Sequence, residues 1–130
     1  ETLLIGSGVY SRCGQVEEAI SRLRELLKIV PNDPGWFQTG ILVTMLYWND
    51  QHSEIYDLIG ENIAASDMDP RVLAIYSILE FKKGNDKKAV KYFLRSKKNG
   101  FNNSRLGIGD EKIKKEAVEI LGEIEKISKS

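Results

Sequence analysis

His52 is the single histidine of the chain, and three carboxylates, Asp50, Glu54 and Asp57, fall close to it in sequence. An imidazole among carboxylates suits a general base or a metal ligand. A metal site needs three or four ligands, however, and a base needs a nucleophile it can reach. Here the carboxylates belong to a turn and to an exposed helix face, so His52 reads as a surface histidine. Cys13 is the single cysteine, which excludes an internal disulfide framework and a cysteine-based zinc site. Placed at a helix end beside a turn, it reads as a small buried filler. Asn102-Asn103-Ser104 formally spells a glycan acceptor. There is no Gly-rich phosphate loop, nucleophile elbow or HExxH pattern. No catalytic residue, metal ligand or cofactor is expected, and an enzyme is the weakest reading.

Charge offers more. Lys82, Lys83, Lys87, Lys88, Lys91, Arg95, Lys97 and Lys98 face a single acid, Asp86. Such a run can serve an acidic partner, anionic lipid or nucleic acid, or simply form a solvated helix face. Nucleic acid is not the expected partner, and the basic surface is assigned to Lys83, Lys87, Lys88, Lys91 and Arg95. Net charge is zero, yet residues 1–69 carry 4 basic and 11 acidic side chains and residues 70–130 carry 15 and 8, so one half is −7 and the other +7. The chain is electrostatically two-ended.

The elements that carry these residues are helical. Composition is that of an ordinary globular domain, 42% hydrophobic and 29% charged over 130 residues. No apolar run is long enough to span a membrane. The chain has no signal segment or initiator Met and begins as if inside a helix, so it reads as a piece of a larger protein. A cytoplasmic setting is favoured. Apolar spacing predicts helices over about 2–12, 16–30, 35–48, 53–65, 70–84, 86–98 and 110–127, seven helices and no sheet. The breaks between them are turn signals at Gly14, Pro31-Asn32-Asp33-Pro34-Gly35, Asp50, Asp67-Met68-Asp69-Pro70, Gly84 and a Gly/Asn-rich loop after Asn99.

Three of those signals lead into a helix at nearly one interval: Gly14, Asp50 and Gly84, 36 and 34 residues apart. A period in the thirties marks stacked helix pairs. Repeat one (1–33) offers Leu3, Gly6-Ser7, Tyr10, Ala19, Leu23, Leu26 and Pro31. Repeat three (70–103) offers Leu73, Tyr76-Ser77, Gly84, Ala89 and Phe93, with Phe101 where Pro is usual. Repeat two (34–69) is degenerate, with Ile55 in place of a small residue and Asp67 in place of the closing Pro. On these residues the chain resembles the tetratricopeptide repeat family, with 110–128 as its capping helix. The resemblance implies an all-α solenoid of antiparallel helix pairs, in which small residues let helices approach and large ones fill the holes.

The same resemblance implies a concave groove lined by the first helix of each repeat. Carried over, it takes in Leu4, Gly8, Ser11 and Arg12, then Phe37, Thr44, Tyr47 and Trp48, then Arg71, Ala74, Ile78, Phe81 and Lys82. The family's clamp for chaperone C-termini is absent, because Leu4 and Gly8 stand where Lys and Asn are needed. The implied function is a non-catalytic scaffold. It would take a protein, peptide or helix into an aromatic and apolar groove with a basic rim. Two other readings remain open: a self-assembling module driven by its charge, and a regulatory or sensory arm of a larger transcription regulator or secretion protein.

Overall fold

A computed structural model describes residues 7–29, 36–103, 106 and 110–129. Among them are six α-helices, one 3-10 helix and no strand. The helices are α1 (Ser7–Ile29), α2 (Phe37–Trp48), α3 (His52–Ile59), α4 (Pro70–Lys82), α5 (Asp86–Lys98) and α6 (Glu111–Ser128), with the 3-10 helix at Gly60–Ala64. The Pro31–Gly35 stop signal, Leu4 and residues 104, 105 and 107–109 of the Gly/Asn loop lie outside the described residues.

Two expectations about helix ends are corrected. Residues 2–12 and 16–30 were to be separate helices, yet α1 runs unbroken through Gly14 for 23 residues. A lone glycine inside a helix costs only about 1 kcal/mol. Gln15, Glu17, Glu18 and Ala19 favour helix, and no proline is present to stop it. The turn at Gly14 is therefore not formed. Conversely, the single helix expected over 53–65 is cut at Gly60, whose φ of 52° and ψ of −133° leave the helical region. After it the chain tightens into the 3-10 turn.

The other stops are built as the turn residues suggest. At the ends of α2, α4 and α5 the residues Asp50, Gly84 and Gly100 have φ of 59°, 87° and 97°. Each end carries the same pair of reverse hydrogen bonds. Gln51 N donates to Leu46 O and Asp50 N to Tyr47 O, Asn85 N to Glu80 O and Gly84 N to Phe81 O, Phe101 N to Ser96 O and Gly100 N to Lys97 O. These are Schellman caps, which satisfy the last carbonyls through one left-handed residue. At the starts, Asp69 accepts from Arg71 N and Asp110 accepts from Lys112 N and Ile113 N, as N-capping carboxylates do.

Packing follows the chain order with two skips, α2 to α4 and α4 to α6. α2 packs on α1, α3 and α4, while α4 packs on α2, α5 and α6, and α5 packs on α6. α4 is the centre, buried from Val72 through Glu80. Leu42, Leu46, Ile55, Ile59, Leu73, Ile75, Ile78 and Ile124 are among the fully buried side chains, each worth about 1.5–3 kcal/mol of apolar burial. Ser77 and Ala89 let α4 and α5 meet closely, and Ser77 Oγ donates to Ala89 O at 2.5 Å. Many of the hydrogen bonds between distant parts of the chain share a similar offset. Arg71 reaches Phe37 and Lys82 reaches Glu116 across 34 residues, Asn99 reaches Ser66 across 33, Asn49 reaches Glu17 across 32 and Trp36 reaches Asp67 across 31.

Candidate partner-binding face

α4 touches α2 through a cation–aromatic contact near each end of the seam between them. In the first turn of α4, the Arg71 guanidinium carbon lies 5.3 Å from the Phe37 ring centroid, and Arg71 Nη2 donates to Phe37 O at 3.2 Å. Asp69 fixes that guanidinium. Its carboxylate accepts from Arg71 N at 2.8 Å, Nε at 3.0 Å and Nη2 at 2.8 Å. A two-pronged Arg–carboxylate pair is among the stronger hydrogen-bonded contacts, and the helix N-terminus adds to it by favouring the negative charge.

At the other end, Lys82 Nζ lies 5.8 Å from the Tyr47 ring centroid and 3.2 Å from Glu116 Oε1 of α6. Tyr47 stacks on His52 with centroids 5.1 Å apart and planes 10° apart. His52 Nε2 is 3.5 Å from Asp50 Oδ1. Four helices thus meet around Tyr47. Its hydroxyl is buried and has no hydrogen-bond partner among the described residues. Burial, with the nearby charges of Glu116 and Asp50, pushes its pKa up to about 12. Burial also holds the His52 imidazole below its ordinary value; Lys82 adds to that effect, and Asp50 and a hydrogen bond to the Tyr47 backbone oppose it.

The groove residues inferred from the sequence separate into two groups. Thr44 (4% exposed), Tyr47 (3%), Ala74 (0%) and Ile78 (0%) are core, closed to any partner while the helices stay packed, which corrects their assignment to the groove lining. Thr44 spends its hydroxyl on Gly40 O at 2.9 Å. Phe37 is 56% exposed, Trp48 and Phe81 are half-buried, and Lys82 is exposed. Arg71 is mostly covered, its side chain 14% exposed. Leu4 lies outside the described residues, as does the side chain of Arg12. The surface-accessible remainder is Phe37, Trp48, Phe81 and Lys82, with Arg71 at its edge.

The basic run is likewise divided. Lys87, Lys88 and Lys91 are exposed. Arg95 is a structural tie instead, donating from Nη1 to Ile63 O and from Nη2 to Ala65 O, both at 2.8 Å. Lys83 Nζ lies 3.9 Å from the Tyr56 ring centroid. That ring belongs to a network the sequence did not reveal. Tyr56 Oη donates to Glu80 Oε2 at 3.0 Å, and Asn85 Nδ2 donates to Glu80 Oε1 at 2.7 Å. Tyr76 stands edge-on to both Tyr56 and Tyr92. Burial, aided by Glu80, raises the pKa of Tyr56 and Tyr76.

Sequence reasoning also missed Asp69 as the anchor of Arg71 and Glu116 as the partner of Lys82. The first was signalled by Asp-Pro-Arg at a helix start, the second by the 34-residue offset repeated once more into α6. Among the described residues, no three His, Cys, Asp or Glu side chains group as a metal ion would need. No helix there is long and apolar enough to cross a membrane. Compared with protein-family models, with curated proteins and with solved structures, the chain finds no match.

Proposed function

We propose that this chain is a non-catalytic protein-interaction scaffold, built as a short tetratricopeptide-like α-solenoid, that docks a peptide or helix on the face shared by α2 and α4. The observation that carries the reading is Phe37. Among the described residues it is the most exposed of the large hydrophobic side chains, at 56%, and it lies against a guanidinium that is itself fixed by a buried carboxylate. An exposed aromatic beside an Arg is the composition of an interface anchor.

Two further facts support it. The repeated offset of 30 to 34 residues in the long-range hydrogen bonds is what stacked helix pairs of that length produce. Lys82 at the far end, over the Tyr47 ring and beside Glu116, keeps an exposed side chain that adds a cation for an acidic side chain of the partner. The docking surface is thus Phe37, Trp48, Phe81 and Lys82, with Arg71 at its edge.

The test is a displayed-peptide selection against the whole chain, repeated on the Phe37→Ala/Phe81→Ala double variant after circular dichroism shows its helicity intact. Enriched sequences are expected to combine apolar and acidic residues and to lose binding to the variant. Peptides that bind both proteins equally, or no enrichment at all, would sink the reading.

A further inference from the structure

α3 with its 3-10 extension lies alongside α5. Arg95 ties the last turn of α5 to Ile63 and Ala65, and Asn99 Nδ2 donates to Ser66 O at 3.2 Å and Met68 O at 2.8 Å. At the other end, Lys83, just ahead of α5, covers Tyr56 at 3.9 Å. The two elements therefore run in the same direction. Asp57 stands level with the first turn of α5, and Glu61 stands level with its middle.

Exposed charges pair locally on parts of the surface. On α1 and the last turns of α6 they pair locally, Arg22 with Glu18 at 3.5 Å, Lys28 with Glu25 at 3.5 Å, Lys126 with Glu123 at 3.6 Å and Lys129 with Glu125 at 3.5 Å. On the α3/α5 face the signs are largely segregated, exposed Asp86 in the first turn of α5 being the one acid on the basic element. Asp57 and Glu61 are exposed on one element, Asp57 also bordering a cleft shared with Arg24 and Lys28 of α1, and Lys87, Lys88, Lys91 and Lys98 are exposed on the other. Among the described residues none of these six makes an ion pair with an opposite charge. Leu94, 52% exposed, interrupts the basic stripe at the level of exposed Ala64.

We infer that this face binds a second copy of the chain, through a two-fold axis that runs parallel to α3 and α5 and between them. Rotation about that axis lays the acidic element of one copy over the basic helix of the other at the same height. Asp57 then meets Lys87 and Lys88, Glu61 meets Lys91, and Leu94 meets Ala64. Each contact occurs twice, as a two-fold interface requires. An in-plane axis across the helices would place acid on acid and base on base.

The chemistry selects this occupant over others. Nucleic acid, an anionic membrane or an acidic peptide would satisfy the lysines and leave Asp57 and Glu61 facing like charge, which costs affinity. A second copy answers both signs. Because exposed ion pairs contribute little individually, the dimer is weak and depends on salt. The inference concerns a different face from the α2/α4 docking surface and does not rest on that reading.

The test is sedimentation equilibrium of the whole chain, up to about 1 mM, at roughly 20 mM and roughly 500 mM salt, where charges are screened beyond about 20 Å and about 4 Å. The expected result is a monomer–dimer equilibrium whose dissociation constant rises at least about tenfold with salt. Glu61→Lys and Lys91→Glu are each expected to weaken it by roughly tenfold, since each turns two attractions into repulsions, and the double exchange is expected to restore it. A monomer throughout at low salt overturns the inference. So does a dimer indifferent to salt or not rescued by the exchange, or a monomer that retains duplex DNA or anionic vesicles through the lysines.

Discussion

Gly40 on α2 has no room for a side chain, because a Cβ built there stands 2.6 Å from Asp69 Oδ2, 2.7 Å from Asp69 Cγ and 2.8 Å from Arg71 Nη2. The glycine is what lets α2 lie against the Asp69–Arg71 clamp and, through it, brings Arg71 over Phe37. Alanine is the better helix former by about 1 kcal/mol, so an open site would gain from the change. Here the clash displaces a buried carboxylate with its guanidinium, and overpacking of that kind costs about 1–3 kcal/mol. Gly40→Ala is expected to lose stability in urea unfolding. Gly122→Ala is the control: nothing lies within 4 Å of its Cβ, and it is expected to gain roughly 0.5–1 kcal/mol. Equal effects at the two sites would show that the clamp yields without cost.

Asp50 performs with a side chain what Gly84 and Gly100 perform without one. Its φ of 59° places a Cβ in the left-handed region, at a cost of about 1–2 kcal/mol that glycine avoids. Asp50→Gly is therefore expected to stabilise the protein by about 1 kcal/mol, the loss of the half-exposed His52 contact subtracting little. A chemical-unfolding midpoint that moved down would assign Asp50 a larger role at Tyr47 and His52 than capping.

How far the sequence revealed this fold depended on which signals were local. The stops at Asp50, Gly84 and Gly100 were legible because a left-handed cap needs a particular residue type at one position. The start at Pro70 was legible for the same reason. Gly14 and Gly60 look alike in sequence and behave oppositely, since one is carried along by its helix-forming neighbours and the other is not. The face was less legible. Phe37, Tyr47 and Trp48 share one helix and an apolar character, but burial at Tyr47 depends on His52, Lys82 and Glu116 arriving from three other elements. Periodicity along a single helix does not report that convergence.

Tyr47 also carries a cost of its own. Its hydroxyl is buried without a partner among the described residues, and an unsatisfied polar group in that position costs about 1–3 kcal/mol. Tyr47→Phe keeps the ring, its stack on His52 and the cation above it. It is expected to raise stability by about 1 kcal/mol. Tyr47→Ala removes the ring and is expected to cost about 3–5 kcal/mol, so an alanine there tests folding and not partner binding. A Phe variant less stable than the parent protein would show that the hydroxyl has a partner in solution.

His52 gives the cluster a pH dependence of definite sign. Burial lowers its pKa below the ordinary 6.5, Lys82 lowers it further, and Asp50 opposes both. Between the folded value and 6.5 the unfolded chain binds more protons than the folded one, so stability rises with pH across that window. The contribution is complete above pH 6.5 and is lost as the pH falls through the window. Carboxylates titrate lower still, so the comparison is with His52→Gln. The parent protein is expected to lose more stability than this variant between about pH 7.5 and 5.5. The imidazole titration followed by NMR is expected to have its midpoint below 6.5. A midpoint above that value would mean that the carboxylate of Asp50, 3.5 Å from Nε2, outweighs burial and Lys82 together, and the pH slope would then reverse.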